Sequence, residues 1–172
     1  LAVGGLSGSG KSTFARAVAP RLGASPGAVI LRTDEIRKRL LNVPPTRRME
    51  PAVYTPDFYA KTYDTMIDNA RALLRAGASV VLDATFIDPA LRGRAEALAR
   101  ECGIPFEGVW LDAPAEVLEA RVEGRTGDAS DATLQVLREQ IARVGDDIAW
   151  PRVDATGPVE PAAAAWLQGA FA

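Results

Sequence analysis

A glycine-rich segment near the start of the chain has the residue types and the spacing that bind phosphate. Residues 5–12 read GLSGSGKS, which matches the pattern G-x-x-x-x-G-K-S/T, and they lie between an apolar run and a helical pattern. Glycine lets the backbone approach an anion, the loop N–H groups converge on it, and the helix N-terminus adds a positive dipole end. We therefore expect Lys11 to reach the β- and γ-phosphates of a nucleotide and Ser12 to hold Mg²⁺. The residues predicted to bind nucleotide here are Gly5, Ser7, Gly8, Ser9, Gly10, Lys11, Ser12 and Thr13.

An acidic and a basic residue one helical turn apart follow the second apolar run of the chain. Asp34 comes where a strand is predicted to end, and Arg37 falls on the same face of the helix that follows. The Asp34 carboxylate is suited to accept the proton of an attacking hydroxyl, and Arg37 to bind an anionic or polar group of the acceptor. The structural alternative is that Thr33 or Asp34 caps the helix and Arg37 is a solvated charge.

The third apolar run also ends in an acid. Residues 80–83 read VVLD, a Walker-B-like arrangement in which Asp83 would hold Mg²⁺ through water or orient Lys11 or the acceptor, with support from Thr85. The alternative is an ordinary acid at the end of a strand. Asp112, after the fourth run, is more typical of a helix cap before Pro114.

Two arginines four residues apart are candidates for offsetting transition-state charge. Arg121 and Arg125 end a predicted helix just before a polar loop, and Arg121 is alternatively placed over an adenine ring. Alternatively, both arginines are ordinary surface cations at a helix C-terminus, where positive charge is favourable. Thr156 and Gly157, after the last strand, are predicted to contact adenine or simply to form a turn. The tyrosines of the third helical region are more typical of a core than of an acceptor pocket; they are Tyr54, Tyr59 and Tyr63.

Strand and helix patterns alternate along the whole chain, as in parallel βαβ structures. Strands are predicted at residues 1–3, 28–31, 79–82, 106–111 and 152–154, and helices near residues 10–20, 35–41, 57–76, 89–102, 115–123, 134–144 and 162–171. This pattern predicts one domain over residues 1–172, a three-layer α/β/α sandwich with a five-stranded parallel sheet and a small helical lid at about 115–145. Its ligands are expected at the carboxyl ends of the strands.

The amino-acid composition limits which side chains can act as acid or base and which covalent links can form. The 172 residues contain no His, so acid–base work falls to carboxylates, Lys or Tyr, and a single Cys excludes an internal disulfide. With a formal net charge of -2 and no apolar run approaching membrane-spanning length, we expect a cytoplasmic protein that binds no membrane. The chain begins at Leu1, inside the first strand, which we interpret as a segment cut from a longer polypeptide.

The motifs together resemble the branch of the P-loop kinase superfamily that contains polynucleotide 5′-kinases, zeta-toxin-type kinases, gluconate kinase and chloramphenicol phosphotransferase. The resemblance rests on residues 5–13, the D-x-x-R segment at 34–37, residues 81–86 and the two arginines, and it covers nearly the whole chain. It implies that Asp34 is the general base, that Arg37 binds an acceptor phosphate, and that Arg121 and Arg125 close over the nucleotide. The likeness is strongest to the kinase module fused behind aminoglycoside-phosphotransferase-like domains, which implies a fused N-terminal partner.

The predicted activity is that of an ATP- and Mg²⁺-dependent kinase acting on a hydroxyl of a small molecule. No Asn-Lys-x-Asp segment for reading guanine is present. One alternative is a 5′-hydroxyl polynucleotide kinase. It is less favoured because residues 84–86 read ATF where polynucleotide kinases often have Thr-Asn, and because the chain is acidic. The other is an ATP-binding regulatory module with little transfer activity.

Overall fold

A five-stranded parallel sheet forms the centre of the protein. The computed structural model describes residues 1–44, 47, 49–50, 53, 55–124 and 130–170. The strands are β1 (Ala2–Gly5), β2 (Val29–Arg32), β3 (Val80–Asp83), β4 (Gly108–Asp112) and β5 (Arg152–Asp154), in the order β2-β3-β1-β4-β5. All pairings in this sheet are parallel. The predicted α/β class and the five strands are confirmed, with boundaries shifted by one or two residues.

Helices connect and cover the strands. They are α1 (Lys11–Val18), α2 (Thr33–Leu40), α3 (Pro56–Arg75), α4 (Pro89–Cys102), α5 (Ala115–Glu123), α6 (Leu134–Arg143) and α7 (Val159–Ala170). A short 3₁₀ turn, Ala19–Arg21, extends α1. Every helix predicted from the sequence is present, although α7 begins three residues earlier than expected. Within the described residues, no helix combines the length and apolar character needed to cross a membrane.

Two hydrophobic cores lie on opposite faces of the sheet. Neighbouring strand residues point to opposite faces, so Ala2 belongs to the core under α3 and α4, whereas Val3 belongs to the core under α1 and α7. Both faces are therefore buried, which explains why the strands are continuous apolar runs rather than alternating ones. This is the predicted three-layer sandwich.

Helix α5 and helix α6 form a unit beside the sheet, which we call the α5–α6 unit (residues 115–123 and 130–143). Leu118 and Val122 of α5 pack against Leu137 of α6 in a small core of their own. Because this core is separate from the two beneath the sheet, the unit corresponds to the region predicted as a lid. Arg125, predicted in this region, lies outside the described residues, as does Tyr54 of the third helical region.

Two predicted helix caps are wrong. Helix α2 begins at Thr33, and Arg32 precedes it without a side-chain cap, since Asp34 is bonded to Arg37 instead. Asp112 does not cap α5; its carboxylate accepts a hydrogen bond from Arg152 at 2.8 Å. Asp88 caps α4, because its Oδ1 accepts from the backbone N–H of Ala90 at 2.8 Å.

Candidate functional site

One large cleft lies at the carboxyl ends of the strands. Its volume is about 1620 Å³, and its walls come from the loop after β1, from α2, from the segment after β3, from the α5–α6 unit and from the start of α7. The predicted site residues that line it are Ser7, Gly8, Gly10, Lys11, Ser12, Thr13, Asp34, Arg37, Asp83, Thr85 and Arg121. Gly5, Ser9, Thr156 and Gly157 are not among the residues that line it.

The loop between β1 and α1 depends on glycine at two positions where neighbouring elements come close. Gly8 and Gly10 have φ angles of 85° and 88°, which residues with side chains rarely adopt. A Cβ at Gly8 would lie 2.7 Å from the carbonyl oxygen of Leu118, and one at Gly10 would lie 2.5 Å from a methyl carbon of Val159. Glycine therefore allows α5 and α7 to pack directly against the loop.

Lys11, Ser12 and Asp83 form the centre of the site. Lys11 Nζ donates to the carbonyl oxygen of Leu6 at 2.8 Å, and Ser12 Oγ donates to Asp83 Oδ2 at 2.6 Å. Strand β3 lies beside β1, so its terminal carboxylate reaches the first turn of the helix that follows β1. A serine hydroxyl and one carboxylate, completed by phosphate oxygens and water, are the donor set that Mg²⁺ prefers, so these residues fit the ion.

The Asp83 carboxylate is held in a buried, partly compensated environment. Burial raises the pKa of Asp83, while Lys11, the Ser12 hydroxyl and Arg32 oppose that rise. Arg32 stands opposite Asp83 in the β2–β3 register, and its Nε lies 3.2 Å from Asp83 Oδ2. Arg32 is therefore the cation beside the candidate metal-binding acid.

The D-x-x-R segment lies on the first turns of α2. Arg37 donates to Asp34 Oδ1 at 3.0 Å, and 26% of the Asp34 side chain remains exposed. Both residues line the cleft, and the charge of Asp34 acts on Asp83, so the two carboxylates are neighbours. The pair is therefore placed where a hydroxyl acceptor can meet the end of a phosphate chain.

Arg121 joins α5 to the loop that follows β5. Its guanidinium donates to the carbonyl oxygens of Ala155, Thr156 and Gly157 at 2.7, 3.1 and 2.7 Å. Asp154 fixes the same loop, because its Oδ1 accepts from the backbone N–H of Thr156 at 2.8 Å. Hydrogen bonds from the side chain and then the backbone of Thr156 lower the pKa of Asp154. Arg121 is thus engaged with the loop predicted to contact adenine, whereas the sequence placed its guanidinium over the transferred phosphate or, alternatively, over an adenine ring.

Tyr59 and Thr85 line the side of the cleft nearest α3. The Thr85 hydroxyl lies 3.3 Å from the Tyr63 hydroxyl, and Tyr63 is buried in the core as its pattern predicts. Tyr59, by contrast, is 37% exposed and presents its ring in the cleft, 4.9 Å from the Tyr63 ring centroid. A half-exposed ring beside polar groups can hold the apolar face of an acceptor.

Three contacts between distant residues were missed by the sequence analysis. The buried ammonium of Lys38 lies 3.3 Å from Asp131, which joins α2 to the segment before α6. Buried Arg92 donates to the carbonyl oxygens of Phe86 and Ile87, which fixes the backbone after β3. Gln140 of α6 accepts a hydrogen bond from a backbone amide of the phosphate-binding loop. No local pattern marks these residues, since each depends on the tertiary fold.

Solved structures share the fold of this chain. A sugar kinase from Janibacter sp. HTCC2649 superposes with a TM-score of 0.68 at 23% identity, covering 97% of this chain and 91% of that one. The APS kinase CysC of Mycobacterium tuberculosis, in complex with AMPPNP and APS, superposes with a TM-score of 0.67 at 18% identity, covering 99% and 97%.

Two curated relatives match the sequence. An uncharacterized protein of Mycobacterium tuberculosis (strain ATCC 25618 / H37Rv) is 35% identical over 163 residues, which are 92% of this chain but only 32% of that protein. The adenylyl-sulfate kinase of Myxococcus xanthus (strain DK1622) is 36% identical over 119 residues, which are 68% of this chain and 59% of that enzyme. The chain thus spans about a third of the length of the first relative.

Most of the chain also matches a protein-family model. The model described as an AAA domain matches residues 1–146, which include the phosphate-binding loop, Asp34, Asp83 and both helices of the α5–α6 unit. By this match the protein belongs to the AAA domain family, and its sheet and helices have the α/β fold of the P-loop kinases.

Proposed function

We propose that this protein is a kinase that uses ATP and Mg²⁺ to transfer the γ-phosphoryl group to a hydroxyl of a small-molecule acceptor. One observation carries the proposal: the 2.6 Å contact between Ser12 and Asp83 lies beside Lys11, in the same cleft as the exposed Asp34 carboxylate. A phosphate cradle alone serves any nucleotide-binding protein. A second carboxylate facing it supplies the group that a hydroxyl acceptor needs.

The donor half of the reaction belongs to the loop and its flanking strands. Lys11 and the loop amides, except that of Ser7, which donates to Gln140, would bind the phosphates and offset their charge. Lys11 would leave the Leu6 carbonyl to do so. Ser12 and Asp83 would hold Mg²⁺, which supplies charge neutralisation between the β- and γ-phosphates. Burial of Asp83 between Arg32 and Ser12 keeps this carboxylate in one position.

The acceptor half belongs to α2. As the bond between the acceptor oxygen and the γ-phosphorus forms and the bond to the ADP oxygen breaks, Asp34 would take the hydroxyl proton. Arg37 keeps that carboxylate in place at 3.0 Å and is suited to bind an anionic group of the acceptor. The exposed ring of Tyr59 supports an acceptor with a flat or apolar face.

An acceptor screen with γ-labelled ATP tests the proposal. The panel contains sugars, gluconate, aminoglycosides, nucleosides, adenylyl sulfate and a 5′-hydroxyl oligonucleotide; the relative from Myxococcus xanthus motivates adenylyl sulfate. We expect label transfer to a small molecule in the wild type. Asp34→Asn should keep ATP binding and lose at least about 10²-fold in rate, the usual size of a general-base effect.

The matched control is Glu160→Gln, which removes another carboxylate that lines the same cleft, on the first turn of α7. Its rate should stay within about threefold of the wild type. An unchanged rate in Asp34→Asn would reduce Asp34 to a structural residue. Label only on the oligonucleotide would favour the polynucleotide kinase. Tight ATP binding with no acceptor that accelerates turnover would favour the regulatory module.

A further inference from the structure

Gln140 of α6 reaches across the cleft to the phosphate-binding loop. Its Oε1 accepts a hydrogen bond from the backbone N–H of Ser7 at 2.9 Å, although the two residues are 133 positions apart in the sequence. Both residues line the cleft. A side chain of the α5–α6 unit therefore already contacts the loop that cradles phosphate.

The chemistry of this contact fixes the orientation of the Gln140 amide. A backbone N–H can only donate, so the atom facing Ser7 must be the carbonyl oxygen of the side chain, and the NH₂ group points elsewhere. Among the residues that the structure describes, none accepts a hydrogen bond from Gln140 Nε2. Two amide hydrogens are thus held at the cleft wall and remain available to a ligand.

Gln135 shows that this arrangement is particular to Gln140. It lies on the same helix and lines the same cleft, but its Nε2 donates to Glu139 Oε1 at 3.1 Å. Its NH₂ group is thus bonded to another residue of the same helix, and its side-chain carbonyl oxygen does not reach the phosphate-binding loop. The two glutamines therefore form a matched pair in which only one is anchored to the phosphate-binding loop.

The position of Gln140 indicates which phosphate it would meet. Helix α6 is tied to the donor side through Ser7 and, through Asp131 just before it, to Lys38 of the acceptor helix α2. Gln140 therefore belongs to a segment that is tied both to the nucleotide cradle and to the helix that carries Asp34. The group that passes between those two sides in phosphoryl transfer is the terminal phosphate.

We propose that Gln140 is a ligand of the terminal phosphate of the bound nucleotide, with its carbonyl anchored on Ser7 and its NH₂ group donating to a γ-phosphate oxygen. This inference rests on the proposed function and adds a residue that discriminates ATP from ADP. The hydrogen bond from Ser7 polarises the amide and makes its N–H groups better donors. Because the Gln140 amide is neutral, it stabilises the negative charge of the phosphate without drawing a carboxylate of the cleft away from that carboxylate's own partner.

Binding of Mg²⁺·AMPPNP and Mg²⁺·ADP, measured by calorimetry without any acceptor, tests the inference. Gln140→Glu keeps an oxygen for Ser7 but loses both donors, so its AMPPNP affinity should fall about 10- to 100-fold, the usual range for a hydrogen bond to a charged group. Its ADP affinity should stay within about threefold. Gln140→Leu should show the same selective loss. The control Gln135→Glu adds equal charge to the same helix and should leave both affinities within about threefold.

Each outcome of the binding measurements either supports or overturns the proposed role of Gln140. Equal losses for both nucleotides, or no loss, in folded Gln140→Glu and Gln140→Leu would overturn the inference and leave Gln140 as a structural tether. Circular dichroism identifies a variant that does not fold, and the other variant then decides. If the wild type binds AMPPNP and the Gln140 variants bind both nucleotides as the wild type does, the inference about Gln140 fails and the proposed function stands. If the wild type binds neither nucleotide, the proposed function fails as well.

Discussion

The ammonium of Lys38 lies 3.3 Å from the carboxylate of Asp131, and their side chains are only 1% and 7% exposed. Removing two charges from water costs about as much as their attraction returns, so such a pair adds little net stability. It does strongly favour one position of the segment before α6 relative to α2. The relationship therefore links the helix that carries Asp34 to the unit that carries Gln140.

Replacing one member of this pair should be more harmful than replacing both. Lys38→Met or Asp131→Leu leaves the other charge in a buried environment, and each should lower the free energy of unfolding by about 3 kcal/mol. The double variant Lys38→Met/Asp131→Leu should recover at least about 1 kcal/mol relative to the sum of the single losses. Urea denaturation of the four proteins gives the values. Strictly additive losses would show that the two side chains do not interact.

Glycine at position 10 should be needed both for its backbone angle and for its lack of a side chain. Gly10→Ala forces a φ of 88° on alanine and places Cβ 2.5 Å from Val159, so it should cost about 2–3 kcal/mol. Gly77→Ala is the matched control, because it has a φ of 83° and no atom within 4 Å of the new Cβ. It should cost only about 1 kcal/mol.

Thermal unfolding measures both glycine variants. Adding Val159→Ala to Gly10→Ala should restore part of the loss, since it removes the methyl carbon that the new Cβ meets. Equal melting temperatures for Gly10→Ala and Gly77→Ala would mean that α7 shifts away without cost, and that the contact with Val159 does not constrain the loop.

Much of the fold could be predicted because its determinants are local. The runs at residues 1–3 and 80–82 are apolar at every position, as strands buried on both faces require, and the loop at 5–12 has a fixed spacing. The site could be predicted where one short segment holds the chemistry, as at Lys11 and Asp83. The acid at the end of β3 follows from the rule that ligands bind at the carboxyl ends of parallel strands.

The features of the fold and the site that could not be predicted depend on contacts between segments that are far apart in the sequence. Nothing in the sequence around Gln140 marks it as different from Gln135, because the difference is a hydrogen bond to a loop 133 positions away. Nothing in the local sequence marks Lys38 as buried, for the same reason. The cap predicted at Thr33 or Asp34 is wrong because α2 already begins at Thr33, which places both residues inside its first turn.

Asp83 should make the stability of the nucleotide-free protein depend on pH. Burial raises the pKa of this carboxyl above its ordinary value of 3.8, so the folded protein binds more protons than the unfolded chain between those two values. The contribution of Asp83 is therefore most favourable below pH 3.8 and is lost as pH rises through the folded-state pKa. Asp83→Asn cannot titrate, and its stability relative to the wild type should increase with pH over that window and then level off.

Urea denaturation of the wild type and Asp83→Asn across pH isolates this effect, because the other groups cancel in the difference. Asp112→Asn is the control, since Asp112 also ends a strand but its side chain is 49% exposed. Its difference from the wild type should not show the same rise. A difference for Asp83→Asn that falls with pH would mean that Lys11, Ser12 and Arg32 outweigh the burial of the carboxylate.

Arg121 should affect the binding of every adenine nucleotide and not the transfer step. Its three hydrogen bonds order residues 155–157, so Arg121→Met should weaken AMPPNP and ADP alike, by about tenfold. The rate of ATP hydrolysis at saturation should change little. Arg138→Met, which removes an exposed arginine paired with Glu119, is the control and should bind both nucleotides normally.

The equal loss expected for Arg121→Met is the opposite of the selective loss expected for Gln140→Glu. Arg121 would act through the loop after β5, which is predicted to contact adenine, whereas Gln140 would act at the last phosphate. If Arg121→Met instead lowers the hydrolysis rate about 10²-fold with unchanged affinities, its guanidinium leaves the carbonyl oxygens during turnover and stabilises the transition state. Calorimetry of both nucleotides together with saturating hydrolysis rates separates the two roles of Arg121.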